Sequence, residues 1–140
     1  MTTKEYLGQI SRCDRMINNK ITEISQLREL ACSVSAVKTG EKVKSTTNVD
    51  KIVENYIKIE KKEKELDKMI DDYVDLKSHI IEQIESIENT DYYDILFGRY
   101  VEGLTFEKLS VKLTWCWRHA HRIHAKALAA FEEKYGEEYL

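Results

Sequence analysis

Apolar side chains recur at Tyr6, Ile10, Cys13, Ile17, Ile24, Leu27, Ala31 and Val34, in steps of three, four or seven. Such steps collect side chains on one face of a helix, because about 3.6 residues complete a turn. The spacing predicts one long helix from residue 3 to about 36. A polar stretch, VKTGEKVKSTTN, follows with Gly40 and a Ser/Thr cluster, and predicts a loop over about 37–48. A second pattern starts at Val49, with Asn48 as its expected cap. It runs through Ile52, Tyr56, Ile59, Glu63, Leu66, Ile70 and Tyr73 to Ile80, Ile84 and Ile87, nearly in heptads, with a slip near Leu76-Lys77. About forty helical residues at roughly 1.5 Å each give a rod near 60 Å long. Two helices of this kind joined by a loop fold back antiparallel. Ile59, Leu66, Ile70, Ile80 and Ile84 are more than one partner helix covers, so self-association, as a dimer, is expected. Glu63, inside KIEKKEKELDK, is the weak point of the seam.

A third pattern follows the junction Asn89-Thr90-Asp91, where Thr90 or Asp91 is the expected cap. DYYDILFGRYV reads as a helix stopped by Gly103, whose missing Cβ suits the left-handed residue past a helix end. Thr105 can cap FEKLSVKL through its hydroxyl. After Leu113 the break TWC precedes WRHAHRIHAKALAAFEEKY. Two helices around such a break form the layout of a helix-turn-helix, whose second helix enters the DNA major groove. Phe106, Leu109, the small Ser110, Leu113, Ala120 and Ile123 take the inward positions. Trp117, Arg118, His119, His121, Arg122 and Lys126 then leave the second helix on other sides, and with Lys112 they form the expected DNA-binding set. The fold class is all-α: a long antiparallel, coiled-coil-like helical hairpin over residues 1–89, then a helix-turn-helix domain with an acidic tail over 90–140.

Composition sharpens this picture. Proline is absent, glycine numbers 5 and 34% of the 140 residues are charged, so little interrupts helix. No run approaches the roughly 20 apolar residues of a membrane span, and MTTKEYLGQISR lacks the apolar segment of a signal peptide. Three cysteines, odd in number and unspaced for metal, fit a reducing cytoplasm. The net charge of −3 hides an uneven distribution. Residues 91–131 hold six Lys/Arg against four acids and three of the histidines, whereas the segments before and after them are acidic. The positive segment is the expected reader of nucleic acid, and its small excess predicts weak binding by one copy.

ILFGRYVEGLTFEKLSVKL, followed by an Arg-containing helix ending in KAL, resembles region 4 of sigma-70 factors. With KEYLGQISRCDRMINNK near its start, the whole chain is similar to phage-encoded region-4-like proteins, including the RinA/ArpU-type late-gene regulators. The sigma-like part covers about a third of the chain, and the looser likeness nearly all of it. The resemblance implies DNA binding in transcription control, with RNA polymerase as a further partner. The chain departs from the pattern at two places. Thr114 stands where the turn usually has glycine, and a β-branched residue fits positive φ badly. Cys116 stands at the usual Ser/Thr cap, with a weaker acceptor. Either Thr114 is the cap and the turn is tighter, or the turn is strained.

The remaining residues offer little other chemistry. In HAHRIH, His121 and His124 share a face but His119 does not, and no Cys or carboxylate stands at a ligand spacing, so surface or DNA-facing histidines are expected rather than a metal site. Trp115 is expected as a plug beneath the turn, with Trp117 divided between packing and DNA. Tyr100 suits the core and Arg99 a carboxylate. There is no Gly-rich phosphate loop and no nucleophile elbow, and neither enzymatic activity nor a cofactor is expected. The alternatives to a transcription regulator are a DNA-packaging component like a small terminase subunit and a helical protein–protein adaptor.

Overall fold

The structure, a computed structural model, describes the backbone of residues 1–38 and 45–140 and the side chains of 1–32 and 49–140. All elements among the described residues are helical. They are α1 (Thr3–Leu7), α2 (Gln9–Lys38), α3 (Ser45–Glu85), α4 (Thr90–Leu96), a π-helical turn (Phe97–Val101), α5 (Phe106–Leu113) and α6 (Trp117–Tyr139). The chain divides into two compact units, one of Met1–Asp14 with Tyr73–Leu140 and the other of Arg15–Asp72.

The expected first helix is two. Thr2 closes a capping box on α1: its hydroxyl accepts from Glu5 N at 3.2 Å while its own N–H donates to Glu5 Oε2 at 2.8 Å. That backbone donor holds the Glu5 carboxyl below the usual range. The chain turns at Gly8 and resumes as α2, which reaches Lys38. α3 already begins at Ser45, so Asn48 lies inside it and is not its cap. Of the expected loop, residues 39–44 lie outside the described residues. α3 passes Leu76-Lys77 without a break.

In the Arg15–Asp72 unit, Ile24, Ala31 and Ile59 are buried with Leu27 and Leu66 packed against them. Lys20 pairs with Glu65 at 3.5 Å and Glu23 with Lys62 at 2.9 Å, so numbers rise along α2 as they fall along α3 and the segments run antiparallel. Glu63, the charge expected to weaken the seam, meets Arg28. Its carboxylate reaches the seam's edge, where exposed ion pairs contribute little but cost little.

The larger unit holds the main core. Leu7, Ile80, Ile84, Ile95, Leu96, Leu109 and Phe131 are fully buried there, with Tyr6, Ile10, Ala120, Ile123 and Ala127 beside them. Residues from both ends of the chain thus share one interior. Tyr6 stacks on Tyr139 at 4.3 Å between centroids and donates to Gln83 Oε1 at 2.6 Å. Gln83, itself buried, passes its amide N–H to Glu138 at 2.8 Å, so no polar group of this bridge is left unpaired. Ile59, Ile80 and Ile84 are buried within the chain, which removes three of the five residues expected to require a second copy; Ile70 remains 36% exposed.

Asn89, rather than Thr90 or Asp91, caps α4, its side-chain oxygen accepting from Asp91 N at 3.0 Å and Tyr92 N at 3.3 Å. DYYDILFGRYV is not regular helix throughout: Glu102 N reaches back five residues to Phe97 O, which makes a wide π turn. Gly98 lies buried within it, where a Cβ would run into the Leu109 side chain. Gly103 ends the segment at φ 72°, the conformation its missing Cβ permits.

Candidate nucleic-acid interface

α5 starts as its sequence predicts, with the Thr105 hydroxyl accepting from Lys108 N at 3.3 Å. Its end settles the question posed by Thr114. Thr114 takes φ 56°, ψ 35°, the left-handed conformation, and Trp115 N bonds Ser110 O at 3.0 Å. Cys116 then sits in extended conformation as the cap of α6, with no side-chain hydrogen bond. The turn therefore has the longer, strained form: Thr114 occupies a glycine-like position, and Cys116 leaves the first N–H groups of α6 without a side-chain acceptor.

Ala120, Ile123, Ala127 and Phe131 bury one face of α6, and Leu109 meets them from α5. The opposite face carries Arg118, Arg122 and Lys126, all exposed. Among the described residues no carboxylate lies within ion-pair distance of these three. Lys112 is also exposed, but Glu102 holds its ammonium at 2.6 Å.

The three neighbouring histidines go separate ways. Arg122 donates from Nη2 to Nδ1 of His119 at 2.9 Å. A guanidinium only donates, so Nδ1 is unprotonated and neutral His119 carries its proton on Nε2. His121 does not project with the cations. Its ring stacks on Phe106 at 4.0 Å and meets Trp117 at 4.1 Å, and its Nε2 is buried with no hydrogen-bond partner among the described residues. The helical turn that points Arg118 and Arg122 outward swings position 121 toward α5. His124, expected at the surface or toward DNA, is 7% exposed and shares a 2.8 Å hydrogen bond with Tyr100. Burial chiefly, with lesser repulsion from Lys4, Arg99 and His121, lowers its pKa to about 4. Burial likewise pushes the Tyr100 hydroxyl up to about 12. The spacing of His124 from Ala120 and Ala127 places it on the inward stripe, a signal obscured by the neighbouring histidines. Arg99 donates to the Leu104 carbonyl at 3.0 Å and lies over the Phe106 ring, instead of reaching a carboxylate.

Thr114, Trp115, Cys116, Arg118, His119 and Arg122 line a cavity of about 430 Å3 at the start of α6. Thr114 and Cys116 belong to this surface, although the sequence marks them only as departures in a turn. Trp115 packs against the core as the expected plug, and its ring meets His119 edge-on at 5.0 Å. Two guanidiniums, an imidazole N–H and the open amides of a long helix share one end, where the backbone dipoles add partial positive charge. Such a surface can hold phosphate oxygens or the acceptor edge of a base.

Among the described residues no helix is long and apolar enough to cross a membrane. Compared with protein families, with curated proteins and with solved structures, the chain finds no match in any of the three.

Proposed function

We propose that the protein is a DNA-binding transcription regulator whose α5, turn and α6 form a helix-turn-helix of the sigma-70 region 4 type. The observation that carries this reading is the row Arg118, Arg122 and Lys126, free of carboxylates among the described residues and opposite the buried stripe of α6. α6 enters the major groove by its N-terminal turn, so Arg118 meets base edges while Lys126, two turns on, meets the phosphate backbone. On this reading the protein acts in phage or prophage gene control in the cytoplasm, with RNA polymerase as second partner. The antiparallel pairing of α2 with α3 supports a coiled-coil-like hairpin, and its exposed Ile70 a contact for self-association.

Titration of the full-length chain with duplex DNA at several salt concentrations tests the reading. Binding should weaken as salt rises, the logarithmic slope growing by roughly 0.9 for each phosphate neutralised. No binding at the lowest salt would reject it in favour of a protein–protein adaptor. A ring-shaped assembly that binds DNA would instead favour the packaging role.

A further inference from the structure

Trp117 is 59% exposed although it opens a helix whose other large rings are packed. It is held outward by what lies beneath it. The Arg99 guanidinium covers the Phe106 ring at 5.0 Å, Phe106 stacks on His121 at 4.0 Å with planes 21° apart, and His121 meets Trp117 at 4.1 Å. This ladder fills the space into which the indole would otherwise fold, with the His121 ring in contact with both Phe106 and Trp117. An apolar ring kept in water at the first helical position gains by meeting an apolar partner. Trp117 lies next to Arg118, in the turn that enters the groove on the proposed DNA-binding reading, on which this inference rests. Base edges there present hydrogen-bonding groups with one apolar exception, the C5 methyl of thymine.

We infer that Trp117 is a specificity-determining residue that packs against a thymine methyl group in the bound site. The chain then prefers T·A at one position beside the base pair met by Arg118. The preference comes from burial of a methyl, with Arg118 and Arg122 supplying the charge that holds the helix in the groove.

The test uses the full-length protein and a duplex that it selects from a randomised pool, re-synthesised with each thymine in turn replaced by uracil, which lacks the methyl. At one position uracil should weaken the parent roughly four-fold, the worth of one buried methyl-sized group. Trp117→Ala should lose about the same on the thymine duplex and be indifferent to uracil at that position. Trp117→Phe, which keeps a flat ring on the ladder, should retain part of the discrimination and covers the case in which the alanine variant misfolds. Equal uracil effects in the parent and in both variants at every position, or none anywhere, would overturn the inference while the DNA-binding reading stands. If the pool is not enriched for any sequence, that reading fails, and the role of Trp117 with it.

Discussion

The Tyr100 hydroxyl and Nε2 of His124 share a 2.8 Å hydrogen bond, and the Phe106 ring meets the same imidazole edge-on at 5.1 Å. This contact ties the π turn to the middle of α6, where burial keeps the imidazole neutral. With its pKa lowered from 6.5 to about 4, chiefly by burial, the folded state binds a proton less readily than the unfolded chain. The His124 contribution is therefore fully present above pH 6.5, is lost as pH falls from 6.5 to 4, and changes no further below that. Discounted for solvent screening, the loss is about 1–3 kcal/mol. Denaturant unfolding of the parent and His124→Gln between pH 7 and pH 4 should show this difference between the two slopes. Parallel slopes would place His124 in solvent.

Leu7 sits in a five-residue helix at the N-terminus, yet it is fully buried in the core that holds Leu96, Leu109 and Phe131. Leu7→Ala should cost about 2–5 kcal/mol, comparable to Ile123→Ala in α6. Both variants should lower the melting temperature of the same transition. An unchanged melt for Leu7→Ala would detach the N-terminus from that core.

The turn before α6 carries two local costs, and each can be relieved separately. Thr114→Gly removes the left-handed strain of a β-branched residue and should stabilise by about 0.5–1 kcal/mol, net of the glycine entropy. Cys116→Ser supplies the missing cap and should add about 0.5–1 kcal/mol. Thermal melts of the two single variants and the double variant would read both. A loss of stability in Thr114→Gly would mean that residue 114 is not left-handed.

Arg118 and Lys126 share a face but should fail differently. Arg118→Ala should cost about 1–3 kcal/mol on a preferred duplex and relax the choice at one base pair. Lys126→Ala should weaken all sequences about equally and reduce the salt slope by about one unit. Titrations on preferred and scrambled duplexes at several salt concentrations separate the two. Variants indistinguishable from the parent on both duplexes would exclude α6 as the reader.

By itself the sequence determined that the chain is helical, most of its helices and much of their inward faces. Periodicity at Ala120, Ile123, Leu109 and Phe106 marks buried stripes because a helix repeats every few residues whatever it packs against, and Thr105 names its own helix start through a hydroxyl at the right distance. Tertiary structure alone decided what each stripe meets. Tyr6, Leu7 and Ile10 show a helical face but not that Phe131 and Tyr139 lie upon it, since contacts more than a hundred residues apart leave no local period. Ile80 and Ile84 read as a seam awaiting a second chain because spacing reports that a face is apolar, not which residues cover it. Residue type is similarly mute in HAHRIH: three like side chains, separated only by helical rotation, become a partner of Arg122, a rung under Trp117 and a buried acceptor or donor for Tyr100. The left-handed Thr114 was likewise decided by packing, because α6 can bring Ala120 and Ile123 onto Leu109 only after the chain has turned, and that burial outweighs the strain at one residue.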